Sequence, residues 1–224
     1  MSTSKRAVLR IGAAAFPRPV GLSVNMMPIV TGDASSVPEL LRPYLPLIEQ
    51  TGLERGSISY LTVHESIVLP GETQRRPGVH TDGTAIYCWG GGWGGGSPQP
   101  VPPSTPRPAP KPAPKPTKGI YMASSDGCCR VWDTTMYEVD AHGSVLGALD
   151  VEPEPMEPGA MYWMTDRTPH ESLPSLERHH RQFFRLVADE IGIWYAQHST
   201  ANPLGVRPNA PIELGSKFDG KAKS

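Results

Sequence analysis

The chain has almost no net charge and few cysteines, and both shortages exclude classes of protein. Its 224 residues carry 21 basic and 22 acidic side chains, a formal charge of −1. That balance gives no broad electrostatic footprint for nucleic acid or for an anionic membrane. The three cysteines, Cys88, Cys128 and Cys129, are an odd number without a CxxC motif, so they suit neither a disulfide framework nor a zinc finger. We therefore expect a reducing, cytoplasmic environment.

The chain also lacks a long hydrophobic run. No uninterrupted apolar stretch is long enough to cross a bilayer. Near the amino terminus, the apolar residues that follow Lys5 and Arg6 are interrupted by Arg10, Gly12 and Pro17, so no signal-peptide core forms. We expect no membrane partner. No internal repeat is visible.

Proline and glycine are abundant instead, with 26 and 23 residues. These residues favour short strands and many turns over long helices. Hydrophobic residues make up 38% of the chain and charged residues 19%, a composition typical of a globular protein. We expect one mainly β domain over residues 1–224, an antiparallel barrel or jelly roll with a few short flanking helices.

The strongest strand patterns lie in the middle and toward the end of the chain. Residues 57–69 are rich in β-branched side chains. Further strands are predicted at 7–9, 20–24, 85–89, 119–123, 129–132, 144–149, 160–164 and 181–188, with an apolar element at 191–195. Helical spacing within 35–48 predicts one or two short turns, because Pro43 and Pro46 would break a longer helix.

A segment of biased composition separates the two halves of this strand series. Glycines at 90–96 surround Trp93, and a proline-rich stretch follows at 97–118. Such a stretch cannot donate a regular hydrogen-bond ladder and favours polyproline II. We interpret 90–118 as a flexible loop insertion that acts as a solvated spacer; a docking segment for an SH3-like partner is the alternative.

The candidate metal ligands are two histidines and one carboxylate. In an extended chain, residues i and i+2 point to the same face, so His80 and Asp82 can present an imidazole and a carboxylate together. His170, which follows Pro169, would complete the set. Two histidines and one carboxylate leave coordination positions open and suit non-heme Fe(II). His64 and Glu171 are the competing histidine and carboxylate.

Two arginines follow His170 in the last strong strand. Arg181 and Arg185 share one face of that strand. A buried guanidinium is costly unless an anion pairs with it, and its planar fork binds a carboxylate in a bidentate manner. Either arginine is therefore a candidate anion anchor, and Tyr121 is a further candidate contact to a co-substrate.

The order His80-x-Asp82, His170, Arg181 resembles the Fe(II)/2-oxoglutarate-dependent oxygenases, which fold as a double-stranded β-helix, the jelly roll. The resemblance implies Fe(II) held by His80, Asp82 and His170, and 2-oxoglutarate anchored by Arg181, with Arg185 as the alternative anchor. It implies that O₂ and a small-molecule or amino-acid-like substrate react at that iron, usually by hydroxylation. It does not identify a subfamily or a substrate.

Two other functions fit the same residues. One is a cupin-like metal enzyme that does not use 2-oxoglutarate, and the other is a metal-stabilised binding protein. Arg181 distinguishes among them, because an arginine that faces the metal favours the oxygenase and one that faces solvent removes its main support.

Overall fold

A computed structural model describes residues 6–84, 118–188 and 191–215, and it is mainly β. The strands are β1 (Val8–Ala13), β2 (Ser23–Val30), β3 (Ile58–Val68), β4 (Ile120–Ser124), β5 (Cys129–Val131), β6 (Glu154–Pro155), β7 (Ala160–Met164), β8 (His170–Ser172), β9 (His179–Val187), β10 (Trp194–Tyr195) and β11 (Ile212–Glu213). The helical part consists of 3₁₀ turns at Ala34–Ser36 and Glu39–Tyr44 and one α-helix, α1 (Leu45–Gln50). The expected mainly β architecture with few helices is confirmed.

Six strands form one antiparallel sheet in the order β1-β7-β4-β9-β3-β2. Its longest pairing joins β3 to β9, from Tyr60 opposite Val187 to Val68 opposite His179. The predicted strands at 57–69, 119–123, 160–164 and 181–188 all correspond to strands of this sheet, and most of their side chains are buried. Their β-branched and aromatic side chains suit a sheet that is covered on both faces.

The two faces of the sheet contact different layers. Along β9, Phe184 and Leu186 belong to one core cluster, which includes residues of α1 and of the 3₁₀ turns. Phe183 and Val187 alternate with them and belong to a second core cluster. This second face is covered by a three-stranded sheet of order β6-β5-β8. Because alternate residues of a strand point to opposite faces of the sheet, one face packs against the helical residues and the other faces the candidate site.

Carboxyl-terminal residues cover one edge of the sheet. The strands β10 and β11 pair in parallel. The Asn202 side chain donates to the carbonyls of Pro28 and Ser36, both at 2.8 Å, and Trp194 donates its indole N–H to the Met26 carbonyl at 2.8 Å. Because these carbonyls are backbone groups, the contacts hold the 194–202 segment against the β2 region.

Some predicted elements differ from the structure. The strand expected at 20–24 begins only at Ser23 and runs to Val30. The strand expected at 144–149 is not formed; Ser144 and Val145 make isolated bridges instead, to His80 and Val139. The cause is a turn at Gly143 (φ 84°), in which the Asp140 carboxylate accepts the N–H groups of His142 and Ser144. Side-chain bonds of this kind compete with strand pairing.

Two predictions lie outside the described residues: the strand at 85–89 and the insertion at 90–118, apart from Lys118. In the part of the chain that the structure describes, no helix has the length and apolar character needed to span a bilayer.

Candidate metal and anion site

His80 and His170 lie directly opposite each other. The His80 amide donates to the His170 carbonyl at 3.0 Å, and the His170 amide donates to the His80 carbonyl at 2.9 Å. Directly opposed residues of an antiparallel pair place their side chains on the same face. The two imidazole centroids are accordingly 4.6 Å apart. The structure thus brings together two histidines that are ninety residues apart in the sequence.

Both imidazoles are oriented in the same way by their own backbone. The Nδ1 atom of His80 lies 2.7 Å from the carbonyl of Gly78, and that of His170 lies 3.0 Å from the carbonyl of Thr168. An Nδ1–H donated to a carbonyl makes Nε2 the nitrogen that would bind a metal. Burial, and after it the neighbouring His170, lowers the pKa of His80 to about 3. His80 is therefore neutral at physiological pH, the form that coordination requires.

Asp82 is placed less simply than the strand pattern predicts. The chain bends at Asp82 and Gly83 instead of continuing as a strand, so residues 80 and 82 do not share a strand face. The buried Asp82 carboxylate accepts a hydrogen bond from Arg185 Nη1, with Oδ1 at 2.6 Å. Among the described residues, His80, Asp82 and His170 are not a group whose ligand atoms all lie within 4.8 Å of one another. Asp82 is brought to the site region, but as the partner of an arginine.

A cavity of about 410 Å³, including its part open to solvent, lies beside the two histidines. Both sheets contribute to its wall. The described lining residues are Arg75, Arg76, His80, Met122, Cys129, Met156, His170, Glu171, Ser172, Phe183 and Arg185.

The polar wall of this cavity is rich in arginine. Arg185 is only 7% exposed, and its Nε atom has no hydrogen-bond partner among the described residues. The guanidinium of Arg75 lies 4.9 Å from the centre of the Phe183 ring. Burial, then the nearby Arg185, lowers the pKa of Arg75 to about 10, so it is still protonated at neutral pH. Arg185 is paired with Asp82, but its unmatched buried Nε donor and the neighbouring Arg75 cation favour an anion at this wall.

Arg76 and Glu171 also line the cavity, but both have protein partners. Arg76 donates to the His142 carbonyl and to Ser144 Oγ, both at 2.6 Å. Glu171, the carboxylate that competed with Asp82, forms an ion pair with Arg130 across β5 and β8. The partners of Arg76 are uncharged, so Arg75, Arg76 and Arg185 all bring positive charge to the cavity wall, and the charge of Arg185 is offset by Asp82.

Arg181, the anchor favoured by sequence spacing, lies in the core and not on the cavity wall. Its side chain is fully buried. Its guanidinium donates to Ser124 Oγ, Ser172 Oγ and Cys129 Sγ at 3.1, 3.0 and 2.9 Å, and it pairs with Asp126 at 3.0 Å. With its donors used by the protein, Arg181 holds the two sheets together, and Arg185 replaces it at the cavity.

Tyr121 is also placed away from the cavity. Tyr121 and Met122 are consecutive in β4, so their side chains point to opposite faces of the sheet. Met122 lines the cavity, whereas Tyr121 packs in the core cluster on the helical side. The co-substrate contact predicted for Tyr121 therefore does not fit its position. Burial raises its pKa to about 12. His64, the competing histidine, lies on β3 opposite Phe183, outside the described lining.

Two features of the structure have no counterpart in the sequence reasoning. The first is Arg75, which lies on the cavity wall and belongs to none of the sequence motifs described above. The second is a group formed by Asp126, Cys128 and His179, whose candidate ligand atoms all lie within 4.8 Å of one another. The spacing Asp126-x-Cys128 offered a weak signal, but nothing in the sequence connects it to His179.

One solved structure, that of EvdO2 from Micromonospora carbonacea var. aurantiaca, matches 72% of this chain and 66% of its own chain, with 15% identity and a TM-score of 0.37. The present chain thus spans less than two thirds of that protein, and the likeness is too distant to carry a statement about activity. No family model matches the chain, and no curated protein matches it.

Proposed function

We propose that the protein is an Fe(II)- and 2-oxoglutarate-dependent oxygenase that acts on a small-molecule or amino-acid-like substrate. The observation that carries the proposal is the pair His80 and His170, which face each other at a cavity with both Nδ1 atoms directed at backbone carbonyls. Nitrogen ligands that are held in this way suit a divalent metal of intermediate softness.

The residues that would hold Fe(II) are His80, His170 and Asp82. The bond from Arg185 is to Oδ1 of Asp82, so coordination would be through Oδ2. Because the three ligand atoms do not all lie within 4.8 Å of one another, Asp82 would have to approach the imidazole nitrogens when Fe(II) binds. In this proposal Arg185 fixes the carboxylate, and its Nε donor, which has no hydrogen-bond partner among the described residues, would bind the co-substrate. The same ion pair thereby couples the metal ligand to the anion site.

The cationic wall supports a dianionic co-substrate. Arg185 would bind a carboxylate of 2-oxoglutarate, and Arg75, packed on Phe183, would add positive charge beside it. When bound, iron and 2-oxoglutarate supply the oxidising chemistry: 2-oxoglutarate and O₂ give succinate and CO₂, and the second oxygen atom enters a C–H bond of the substrate. The apolar wall residues, Met122 and Met156, would exclude water from that step.

The arrangement of the two sheets supports the jelly roll that this family uses. A six-stranded and a three-stranded antiparallel sheet both contribute residues to the cavity wall. In the proposed double-stranded β-helix, these are the two walls, and the ligands lie where 79–84 meets β8. The expected domain, 1–224 with the insertion at 90–118, is retained as part of this proposal.

The decisive experiment measures the binding of 2-oxoglutarate and its conversion to succinate. Anaerobic Fe(II) and 2-oxoglutarate should give a visible charge-transfer band in the full-length protein, and succinate should form in air with a panel of amino acids and small acids. The substitution Arg185→Gln should weaken 2-oxoglutarate binding by roughly 10–100-fold, the equivalent of one charge-assisted hydrogen bond.

The controls separate loss of binding from loss of folding. Arg178→Gln changes an exposed arginine just before β9 and should leave the band unchanged. Arg185→Gln leaves the buried Asp82 carboxylate without its cation, which could destabilise the fold. The double variant Arg185→Gln with Asp82→Asn removes both charges, and comparing its thermal unfolding with that of Arg185→Gln shows how much stability the unpaired carboxylate costs. Absence of the band in folded, iron-loaded protein would overturn the proposal, as would an Arg185→Gln variant with unchanged 2-oxoglutarate affinity.

A further inference from the structure

Asp126, Cys128 and His179 form a second group of potential metal ligands, called here the Asp126–Cys128–His179 cluster. Asp126 and Cys128 lie in the connection from β4 to β5, and His179 is the first residue of β9. All three side chains are half-buried. One carboxylate, one thiol and one imidazole are thus brought together with ligand atoms within 4.8 Å of one another.

The imidazole of His179 is held as a metal-binding histidine is usually held. Its Nδ1 atom lies 3.0 Å from the Glu177 carbonyl and 3.1 Å from Ser175 Oγ. Its Nε2 atom points at Asp126 Oδ2, with which it makes a short contact. A ring nitrogen and a carboxylate oxygen in contact need a proton between them, and a divalent cation can replace that proton.

The carboxylate of Asp126, like the imidazole of His179, is held in place by hydrogen bonds from the protein. Its Oδ1 atom accepts from Cys128 N at 3.1 Å and from Ser124 Oγ at 3.0 Å, and it pairs with Arg181 Nε at 3.0 Å. Arg181 is in turn fixed in the core by Ser172 and Cys129. One oxygen is therefore used by the protein, and the other is directed toward His179.

We propose that Asp126, Cys128 and His179 bind a zinc-like divalent metal ion, separately from the histidine pair at the cavity. A donor set of one sulfur, one nitrogen and one oxygen selects a borderline metal over Mg²⁺ or Ca²⁺, which require oxygen ligands. Three protein ligands leave one tetrahedral position for water or another ligand. Binding releases the thiol proton and the proton shared by His179 and Asp126.

The charges of the cluster suit such an ion. The Asp126 carboxylate and the thiolate that Cys128 would form on binding together balance a divalent cation; without the metal, Arg181 and His179 are the partners of the Asp126 carboxylate. Arg181 also contacts Cys129 and Ser172, two residues that line the cavity. The second site therefore lies behind the cavity wall and is joined to it through one buried side chain.

Cobalt binding tests the proposal, because a thiolate ligand gives Co²⁺ a near-ultraviolet charge-transfer absorption that nitrogen and oxygen ligands do not give. Metal-free full-length protein should show this absorption on titration with Co²⁺ and lose it when Zn²⁺ is added. Cys128→Ser should abolish the band. His179→Gln should weaken Co²⁺ binding more than about 100-fold. Mutating a residue that only hydrogen-bonds to a metal ligand lowers metal affinity by about 10–100-fold, and the loss of a ligand itself should cost more.

Matched variants make the result specific. His180→Gln, at the exposed neighbour of His179, and Cys88→Ser, at the third cysteine, should retain the band. His80→Gln should also retain it, whereas it should impair the Fe(II) site, so the two proposals fail independently. A folded wild type without the band, or a band that survives Cys128→Ser, would overturn the second site. Thermal unfolding of each variant identifies those that fold.

Discussion

Glu65 is a buried carboxylate that no cation neutralises among the described residues. It lies on the helical face of β3 and is 5% exposed. Its donors are the amides of Val20, Gly21 and Leu22 at 2.7, 2.6 and 2.9 Å, Tyr44 Oη at 2.6 Å and Gln182 Nε2 at 3.2 Å. Five hydrogen bonds replace the water that the charge loses, and they hold the 20–22 segment against the sheet.

We predict that Glu65→Gln lowers the free energy of unfolding by about 2–3 kcal/mol. The amide has one acceptor oxygen, and its NH₂ group meets donors, so at least two bonds to a charged acceptor are lost. Urea unfolding at pH 7 measures the change. Glu39→Gln, at an exposed glutamate of the second 3₁₀ turn, is the control and should cost under about 0.5 kcal/mol.

The same residue gives a pH dependence of known sign. Burial raises the pKa of Glu65, but the bonds from Tyr44 and from the three amides outweigh it, and the pKa is lowered from its ordinary value near 4.5. A lowered folded-state pKa contributes stability above the unfolded-state pKa, and this contribution is lost as pH falls through the folded-state value. The stability difference between wild type and Glu65→Gln should therefore be constant above pH 5 and shrink below pH 4.5. A difference that grows with acidity would contradict this role.

At the scale of elements, the loop that carries His80 and Asp82 depends on a neighbouring turn. Gly143 accepts the Thr81 amide through its carbonyl at 2.8 Å. Its φ is +84°, and a Cβ added there would lie 2.4 Å from the Thr81 carbonyl oxygen and 3.0 Å from that of Gly83. Both contacts are to backbone, so no flexible side chain can move aside.

We predict that Gly143→Ala destabilises the protein by about 3 kcal/mol or more and weakens metal binding at the cavity, because the 81–83 loop must shift. Gly71→Ala is a matched control: its φ is +81°, and an added Cβ meets nothing within 4 Å. It should show only the left-handed strain of roughly 1–2 kcal/mol. Urea midpoints and Fe(II) titrations of both variants measure the two effects. Equal costs would show that the contact with 81–83 is unimportant.

The elements that the sequence predicted well are short runs rich in β-branched and aromatic residues. Strands β3, β4, β7 and β9 have apolar residues on both faces, and such runs, bounded by turn residues, are visible without any tertiary information. His80 and His170 were also identified from the sequence. The contacts of Asp82 and Arg181 were not identified. The chain bends at Asp82, and Arg181 pairs with Asp126, a residue from a distant part of the sequence; neither feature is visible in residue spacing. Spacing alone therefore could not choose between Arg181 and Arg185.

At the scale of the molecule, strands from both sides of the insertion form one sheet. Strand β3 precedes it, β4, β7 and β9 follow it, and β9 pairs with both β3 and β4. The core clusters likewise combine residues from both sides, such as Leu61 with Phe184 and Tyr60 with Val187. Residues 97–117 are therefore not needed for any strand pairing in the described part of the chain.

We predict that deletion of residues 97–117 leaves the protein folded and equally or slightly more stable. Residues 85–96 remain as a connection of twelve residues, which extends to about 40 Å. If the connection behaves as the flexible loop expected from its sequence, shortening it from 33 to 12 residues lowers the free-energy cost of closing it by about 1 kcal/mol. The free energy of unfolding in urea should rise by at most that amount. A chain in which 97–117 is replaced by a glycine–serine segment of equal length should match the wild type, since only length enters this estimate. Loss of cooperative unfolding in the deletion but not in the replacement would mean that the connection must be long; loss in both would mean that the proline-rich sequence itself packs on the sheet.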